Sequence, residues 1–186
     1  MQSSTSHTSA ASPTEPGVVA IVPARADHLP GIAALAAVIW RAYYPGIISV
    51  EQIDYMLERM YDVEVLRDDI NTRGISIDRL LLRGDALIGF AAYGPAEQSR
   101  EMKLHKLYLH PDEQRKGYGT LLLQHVESTA RERGYHSLIL AVNKVNRGAI
   151  EAYRRNAFTV RESVIVDIGG GFVMDDFIMV KALTSQ

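Results

Sequence analysis

Hydrophobic and polar residues alternate along the chain with periods that predict a mixture of helices and strands. A short apolar strand is predicted at 18–22. Beyond Asp27, hydrophobic residues recur at steps of three and four, as on one face of an amphipathic helix: Leu29, Ile32, Leu35, Ala36 and Ile39. The first 17 residues are mostly small and polar, and they cannot bury enough apolar surface to offset the entropy lost on ordering. We therefore expect a disordered tail over 1–17 and a single domain over 18–186.

The middle of the chain changes from helical to strand periodicity. Ser49 is followed three residues later by Gln52, which predicts a capping box at the start of a helix that extends to Met60. The stretch from there to Gly74 is irregular or helical. Three apolar runs then predict strands, the first two joined by a hairpin turn at Arg-Gly-Asp: 75–82, 86–93 and 102–109.

The last third of the chain alternates helices with strands. A helix is predicted over 117–133, with Gly134 just after its last turn. The elements predicted after it are a strand, a helix and a strand pair joined by three glycines: 137–142, 146–155, 160–168 and 172–180. This order of elements predicts an α/β (α+β) fold with a mixed sheet covered by helices.

Composition narrows the class of protein. Twenty Lys and Arg against 22 Asp and Glu leave a net charge of −2, so no broad basic surface is available for a nucleic acid. The longest apolar run, 32–40, has nine residues, whereas a helix needs roughly 20 to cross a membrane. The N-terminus lacks the basic and apolar regions of a secretion signal. We expect a cytoplasmic protein with no nucleic acid or membrane partner.

The chain contains no cysteine, which excludes disulfides, thiolate zinc sites and an acyl-cysteine intermediate. Its six histidines do not show the His-Glu-x-x-His spacing of a helical zinc site. We therefore expect no metal.

One segment combines the features of an anion site. The strand that ends at His110-Pro111 is followed by a polar turn, and Gly117 and Gly119 then begin a long helix. The first backbone N–H groups of a helix lack partners, and the helix dipole adds partial positive charge there. Glycine allows a ligand to approach the backbone closely, and Arg115 and Lys116 add positive charge. The segment predicts a site for a phosphorylated cofactor.

Two well-known phosphate loops do not fit these residues. A dinucleotide loop requires a third glycine where Leu122 stands. A nucleotide-hydrolysing P-loop requires Gly-Lys followed by Ser or Thr, whereas the order here is Lys116-Gly117-Tyr118.

The segment instead resembles the pyrophosphate signature of the GNAT superfamily of acyl-CoA-dependent N-acetyltransferases, Gln/Arg-x-x-Gly-x-Gly/Ala. Gln114, Gly117 and Gly119 occupy its positions. A second block, 143–158, resembles the family's Asn-x-x-Ala-x-x-x-Tyr-x-x-x-Gly-Phe, except that Ala157 replaces the glycine. The resemblance implies a GNAT-like fold with a mixed, mostly antiparallel sheet of about seven strands and about four helices.

The resemblance also implies how acetyl-CoA would be bound. The backbone amides of one loop would hold its pyrophosphate: Gln114, Arg115, Lys116, Gly117, Tyr118, Gly119 and Thr120. The main-chain groups of Leu107 and Leu109 would pair with the pantetheine arm like an added strand, and one of them would polarise the thioester carbonyl. Asn146 is a helix N-cap, or its side chain is hydrogen-bonded to the pantetheine arm, or both.

The catalytic groups follow from the same resemblance. Tyr153 would be the general acid that protonates the leaving thiolate, although helical spacing alone predicts a packing residue. An amine acceptor must lose a proton before it attacks. Lys103 stands where family members often have the carboxylate base. His105 is then the first candidate for the base, Glu101 is the second, and a strand histidine without a role is a further alternative.

The acceptor pocket is expected at the N-terminal helices, where aromatic residues cluster: Trp40, Tyr43 and Tyr44. Core packing is the alternative interpretation of these rings. The predicted activity is acetyl transfer from acetyl-CoA to a small-molecule or peptide amine by direct attack in a ternary complex. The alternatives are a non-catalytic acyl-CoA sensor and a scaffold subunit that docks a partner through 40–60. A homodimer is possible.

Overall fold

The computed structural model describes residues 18–82, 85–98 and 100–183, and the following statements refer to these ranges. Seven strands form one sheet: β1 (Val19–Pro23), β2 (Ser76–Leu82), β3 (Ala86–Pro95), β4 (Glu101–Leu109), β5 (Ser137–Asn143), β6 (Thr159–Gly169) and β7 (Phe172–Ala182). Five α-helices cover it: α1 (Leu29–Tyr43), α2 (Val50–Tyr61), α3 (Val63–Asn71), α4 (Tyr118–Glu132) and α5 (Arg147–Arg155). None of the described helices is long and apolar enough to cross a lipid bilayer. The predicted tail over 1–17 lies outside the described residues.

The predicted mixed, mostly antiparallel sheet of seven strands is confirmed. The number of helices is five rather than about four, because the stretch predicted as irregular or helical forms α3. Asp62 begins this short helix by accepting a hydrogen bond from the Glu64 amide at 2.8 Å. A nine-residue helix with one buried leucine, Leu66, gives only a weak periodic signal in the sequence.

The strand order is β1-β2-β3-β4-β5-β7-β6, and every neighbouring pair is antiparallel except β4 with β5. This parallel pair matches only Glu101–Leu104 with Ser137–Leu140. Beyond Leu104 and Leu140 the two strands are no longer paired, so the sheet opens between them. α4 connects this pair, as a parallel connection requires.

Helices cover both faces of the sheet and create two hydrophobic cores. On one face, α4 places Leu122 and Val126 against Met102 and Leu138, all fully buried. On the other face, α1, α2 and α3 form a second core around Phe90, Ile32, Ile53 and Leu66. Burial of these apolar side chains is the main favourable contribution to folding.

The capping box predicted at the start of α2 is half formed. The Ser49 hydroxyl accepts a hydrogen bond from the Gln52 amide at 3.1 Å, as expected. The Gln52 side chain does not return to Ser49 and instead donates to the carbonyl of Val173 at 3.0 Å. The Tyr55 hydroxyl donates to the carbonyl of Ile168 at 2.7 Å. Polar side chains of α2 therefore attach this helix to the β6–β7 hairpin.

Gly89 allows β3 and β4 to approach closely at the end of β4, where it lies opposite Leu109. A Cβ atom at Gly89 would lie 2.6 Å from Leu109 Cδ2 and 2.7 Å from the Tyr108 carbonyl oxygen. We expect Gly89→Ala to lower the free energy of unfolding by about 1–3 kcal/mol, because a buried backbone has to shift. Urea denaturation followed by circular dichroism measures this change.

Gly31 in α1 provides the matched control. A Cβ atom there would have only Leu87 Cδ2 nearby, at an ordinary contact distance of 3.8 Å. Gly31→Ala should stabilise the protein by about 0.5–1 kcal/mol, since alanine is the better helix former. An unchanged denaturation midpoint for Gly89→Ala would contradict the close approach of β3 and β4.

Candidate functional site

The space between β4 and β5 is part of a cavity of about 960 Å³, which we call the central cavity. It extends from the start of α4 to the side chains of α1, α2 and the β6–β7 hairpin. Cavities of this size are typical of small-molecule and cofactor sites.

Alternate backbone groups of β4 face the open side of the sheet. The His110 amide donates to the Ile88 carbonyl at 2.8 Å, and the same register continues with Tyr108 opposite Phe90. In an antiparallel ladder, hydrogen-bonded residue pairs alternate with pairs that are not hydrogen-bonded. The residues of the second kind direct their N–H and C=O groups away from the partner strand. Leu107 and Leu109 therefore present their main-chain groups toward β5, which is no longer paired there. This is the geometry that strand-like pairing with an extended ligand requires.

The start of α4 leaves a row of backbone amides free. Gly117 is the N-cap, has a φ of 86°, and carries no side chain that caps the helix. In contrast, Ser49, Asp62 and Asn146 cap α2, α3 and α5 with side-chain oxygens. Among the described residues, no acceptor binds the amides of residues 115–120. A Cβ atom at Gly117 would have no atom within 4 Å, so the space beside this residue is open.

The residues of this glycine loop (residues 114–120) are divided among the cavity, the surface and the core. Those that line the central cavity are Gln114, Arg115, Gly117, Gly119 and Thr120. Lys116 forms a surface ion pair with Glu113 at 3.0 Å. Tyr118 is 5% exposed and packs in the core, so it contributes only its amide to the loop. The loop can therefore bind an anion through backbone N–H groups, with Arg115 beside them.

Tyr153 on α5 lines the central cavity, and its ring packs edge-on against Phe158 with the centroids 5.7 Å apart. Burial, followed by the nearby Tyr43, raises the pKa of Tyr153 to about 12. The phenol therefore keeps its proton at neutral pH and can donate it.

Asn146 joins α5 to α1. Its Oδ1 atom accepts hydrogen bonds from the Ala149 amide at 3.1 Å and from the Tyr43 hydroxyl at 2.9 Å. Gly148 leaves room for that hydroxyl, because a Cβ atom there would lie 3.3 Å from it. The expected N-cap is therefore present, and Asn146 also lines the central cavity.

His105 lies at a β-bulge in β4. Leu104 pairs with Tyr93 and Lys106 with Ala92, so His105 has no partner residue in β3. Its Nε2 atom is buried without a hydrogen-bond partner among the described residues. Burial and then the charge of Lys103 lower the pKa of His105 to about 4. The imidazole is neutral at pH 7 but is a weak base.

The described ranges hold no group of three or more His, Asp and Glu side chains that could bind a metal ion.

Glu101 does not reach the central cavity. Its carboxylate accepts hydrogen bonds from Arg161 and from the Ser137 hydroxyl, each at 3.0 Å. The interpretation of Glu101 as a second candidate base is therefore wrong. Lys103, the departure from the family pattern, does line the central cavity.

The three aromatic residues predicted for the acceptor pocket all line the central cavity, but they are buried to different extents. Trp40 is 3% exposed and stacks on Tyr44, with the ring centroids 4.3 Å apart. Tyr43 is 38% exposed and packs edge-on against Tyr44. Trp40 therefore packs in the core and also lines the cavity.

Asp176 on β7 is a residue that the sequence analysis missed. It lines the central cavity and is 4% exposed. Burial and the neighbouring Asp175 raise its pKa to about 6. A signal was present in the sequence, because Asp176 lies between Met174 and Ile178 in the alternation of β7, where an apolar residue is expected.

The sequence matches the model of the acetyltransferase (GNAT) family over residues 35–158, well over half of the chain. The spermidine N(1)-acetyltransferase of Thermoplasma acidophilum is 28% identical over 80% of this chain and 91% of that protein. The streptothricin acetyltransferase of Streptomyces lavendulae is 39% identical, but this match spans 39% of this chain and 38% of that protein.

A solved structure agrees in fold. The crystal structure of PaiA N-acetyltransferase from Thermoplasma acidophilum in complex with coenzyme A aligns with a TM-score of 0.74 and 25% identity. The alignment covers 89% of this chain and 99% of that one. The predicted family and fold are confirmed, and the chain belongs to the acetyltransferase (GNAT) family.

Proposed function

We propose that the central cavity binds acetyl-CoA and an amine together and transfers the acetyl group by direct attack of the amine. The observation that carries this proposal is the convergence of three features in one cavity: free amides at the start of α4, unpaired main-chain groups on β4, and the Tyr153 phenol. A sensor that only binds acyl-CoA is not favoured, because it would not need a proton donor in this cavity.

The glycine loop fits a pyrophosphate because the amides of residues 115–120 lack acceptors among the described residues. These N–H groups and the dipole of α4 would share the negative charge of the two phosphates. Leu107 and Leu109 would bind the pantetheine arm through their main-chain N–H and C=O groups. The thioester would then lie where β4 and β5 separate, on the side of the cavity lined by Tyr153.

Tyr153 would supply the proton that the leaving sulfur needs. Direct attack by an amine breaks the C–S bond of the thioester, and the thiolate leaves more easily if it is protonated as it departs. A phenol whose pKa is about 12 is fully protonated between pH 6 and 9, so Tyr153 is in its active form throughout this range. His105 remains a weaker candidate for the base, since its pKa of about 4 lies far below that of an amine.

The acceptor would enter from the side of α1 and α2, where Trp40, Tyr43 and Tyr44 line the cavity. Their aromatic faces suit an amine cation or an apolar group. The acceptor is an amine of a small molecule or a peptide. The homodimer and the cytoplasmic location stay predictions.

Tyr153→Phe removes only the phenolic hydroxyl. We expect kcat to fall by about 10²-fold or more, because the leaving thiolate loses its proton donor. The dissociation constant of acetyl-CoA, measured by calorimetry, should change little. Tyr135→Phe is the control, since Tyr135 packs against the same core without lining the central cavity. Equal turnover by the wild type and Tyr153→Phe would remove Tyr153 from the mechanism.

Arg115→Ala should weaken coenzyme A binding about tenfold, which corresponds to the loss of one charge-assisted contact. Lys116→Ala should have a smaller effect, because the Lys116 ammonium is already paired with Glu113. Arg67→Ala controls for the change in net charge, since Arg67 forms an ion pair with Glu64 on α3, outside the cavity lining. If Lys116→Ala weakened binding more than Arg115→Ala, the assignment of Arg115 to the pyrophosphate would be wrong.

A further inference from the structure

Among the residues that the structure describes, two carboxylates line the central cavity, and they differ in what surrounds them. Asp69 is bound by the Lys106 ammonium at 2.9 Å and by Arg73 at 3.5 Å, so its charge is balanced. The Oδ1 atom of Asp176 is buried without a hydrogen-bond partner among the described residues. A buried carboxylate oxygen without a partner is unfavourable, and native proteins rarely keep one without a reason.

The charged groups around Asp176 come from three parts of the chain. Asp175 precedes it on β7, Lys144 follows β5, and Lys103 belongs to β4. Lys144 forms its ion pair with Asp175, and the register partner on β6, Val164, carries no charge. Burial therefore outweighs the two lysines in determining the pKa of Asp176, which is raised to about 6. The carboxylate is mostly ionised at pH 7.5 and has no described cation bound to Oδ1.

Much of the wall of the central cavity is apolar, although Asn143, the register partner of Asp176 on β5, is polar and also lines it. Side chains from α2, the segment before it and the β6–β7 hairpin contribute to the apolar part: Ile48, Met56, Met60, Val164, Ile168 and Met174. Arg59 and Lys103 also line the cavity, and neither forms a salt bridge with a described carboxylate. Such a pocket favours one positive charge at Asp176 and disfavours a second one further along the ligand.

We propose that Asp176 binds the ammonium group of the acceptor and removes its proton, and that the acceptor is a primary amine with one positive charge on an apolar body. This inference rests on the proposed acetyl transfer and names the base and the acceptor class that it requires. A polyamine, the substrate in the name of the Thermoplasma relative, would place further positive charge against Arg59 and Lys103.

The proton and bond changes balance. Asp176 takes one proton from the ammonium, and the freed lone pair forms the C–N bond with the thioester carbon. The C–S bond breaks, and Tyr153 gives its proton to the sulfur. The nitrogen, now part of an amide, loses a second proton that returns Tyr153 to its phenol form. Asp176 releases its proton to solvent, so the products are the amide, free coenzyme A and one proton.

Asp176→Asn tests the role of the carboxylate with little change in shape. With 2-phenylethylamine as acceptor, we expect kcat/KM to fall about 10²-fold or more, and the wild-type rise through pH of about 6 to disappear. 4-Methoxyaniline is an aromatic amine that is already neutral at pH 7, so no proton has to be removed before it attacks. With this acceptor, the kcat/KM of Asp176→Asn should stay within about threefold of the wild-type value. Equal losses with both amines would mean a structural role and overturn the proposal.

Asp175→Asn is the matched control, because it removes the same charge from the adjacent residue, whose side chain is 51% exposed. We expect its kcat/KM to remain within about threefold of wild type. The rise of kcat/KM on the acid side of the pH profile should move to lower pH, since Asp175 raises the pKa of Asp176.

Ionisation of Asp176 opposes folding above its raised pKa. Asp176→Asn should therefore unfold at the same or a higher temperature than wild type at pH 8.

The acceptor class is tested with the wild-type enzyme by comparing 2-phenylethylamine with spermidine in an assay of coenzyme A release. We expect at least about a tenfold higher kcat/KM for 2-phenylethylamine. Preference for spermidine would overturn the acceptor class while leaving acetyl transfer in place. If calorimetry shows acetyl-CoA binding but no amine releases coenzyme A, both the transfer reaction and the role of Asp176 are wrong.

Discussion

The separation of β4 from β5 is the structural constraint on which the site depends. These two strands are the parallel pair of the sheet, and their pairing ends after Leu104 and Leu140. β4 remains paired with β3, and β5 remains paired with β7, so beyond Leu104 and Leu140 each of the two strands has one unpaired edge, on the side of the gap. The gap exposes the main-chain groups of Leu107 and Leu109. The start of α4 and the β6–β7 hairpin both contribute residues to the cavity that contains this gap.

Unpaired polar atoms are concentrated around this gap. Among the described residues, the buried side-chain atoms without a hydrogen-bond partner include Trp40 Nε1, His105 Nε2 and Asp176 Oδ1, and all three residues line the central cavity. The backbone amides of residues 115–120 are further donors that lack a hydrogen-bond acceptor among the described residues. Folding usually pairs such groups, and their presence here is consistent with partners that arrive with the substrates.

The sequence predicted those parts of the site that lie close together along the chain. The glycine loop could be predicted as a phosphate site because its proposed function depends on consecutive amides at the start of one helix, and Tyr153 as a proton donor because it belongs to a contiguous block that resembles the family's. Asp176 could not be placed, since the return of β7 beside β5 brings it to the cavity from far along the chain. The same limit applies to Glu101, whose partner Arg161 lies on another strand, and to Gln52, which binds the hairpin instead of its own helix.

Residue-resolved hydrogen exchange, measured by NMR with and without coenzyme A, tests whether coenzyme A binds the amides that this gap and the start of α4 leave unpaired. We expect coenzyme A to slow exchange of the amides of residues 115–120 and of Leu107 and Leu109. The amide of Tyr108, which faces β3, should exchange at the same slow rate in both states. Unchanged exchange rates of the glycine-loop amides, or protection of the Tyr108 amide in place of those of Leu107 and Leu109, would contradict this mode of coenzyme A binding.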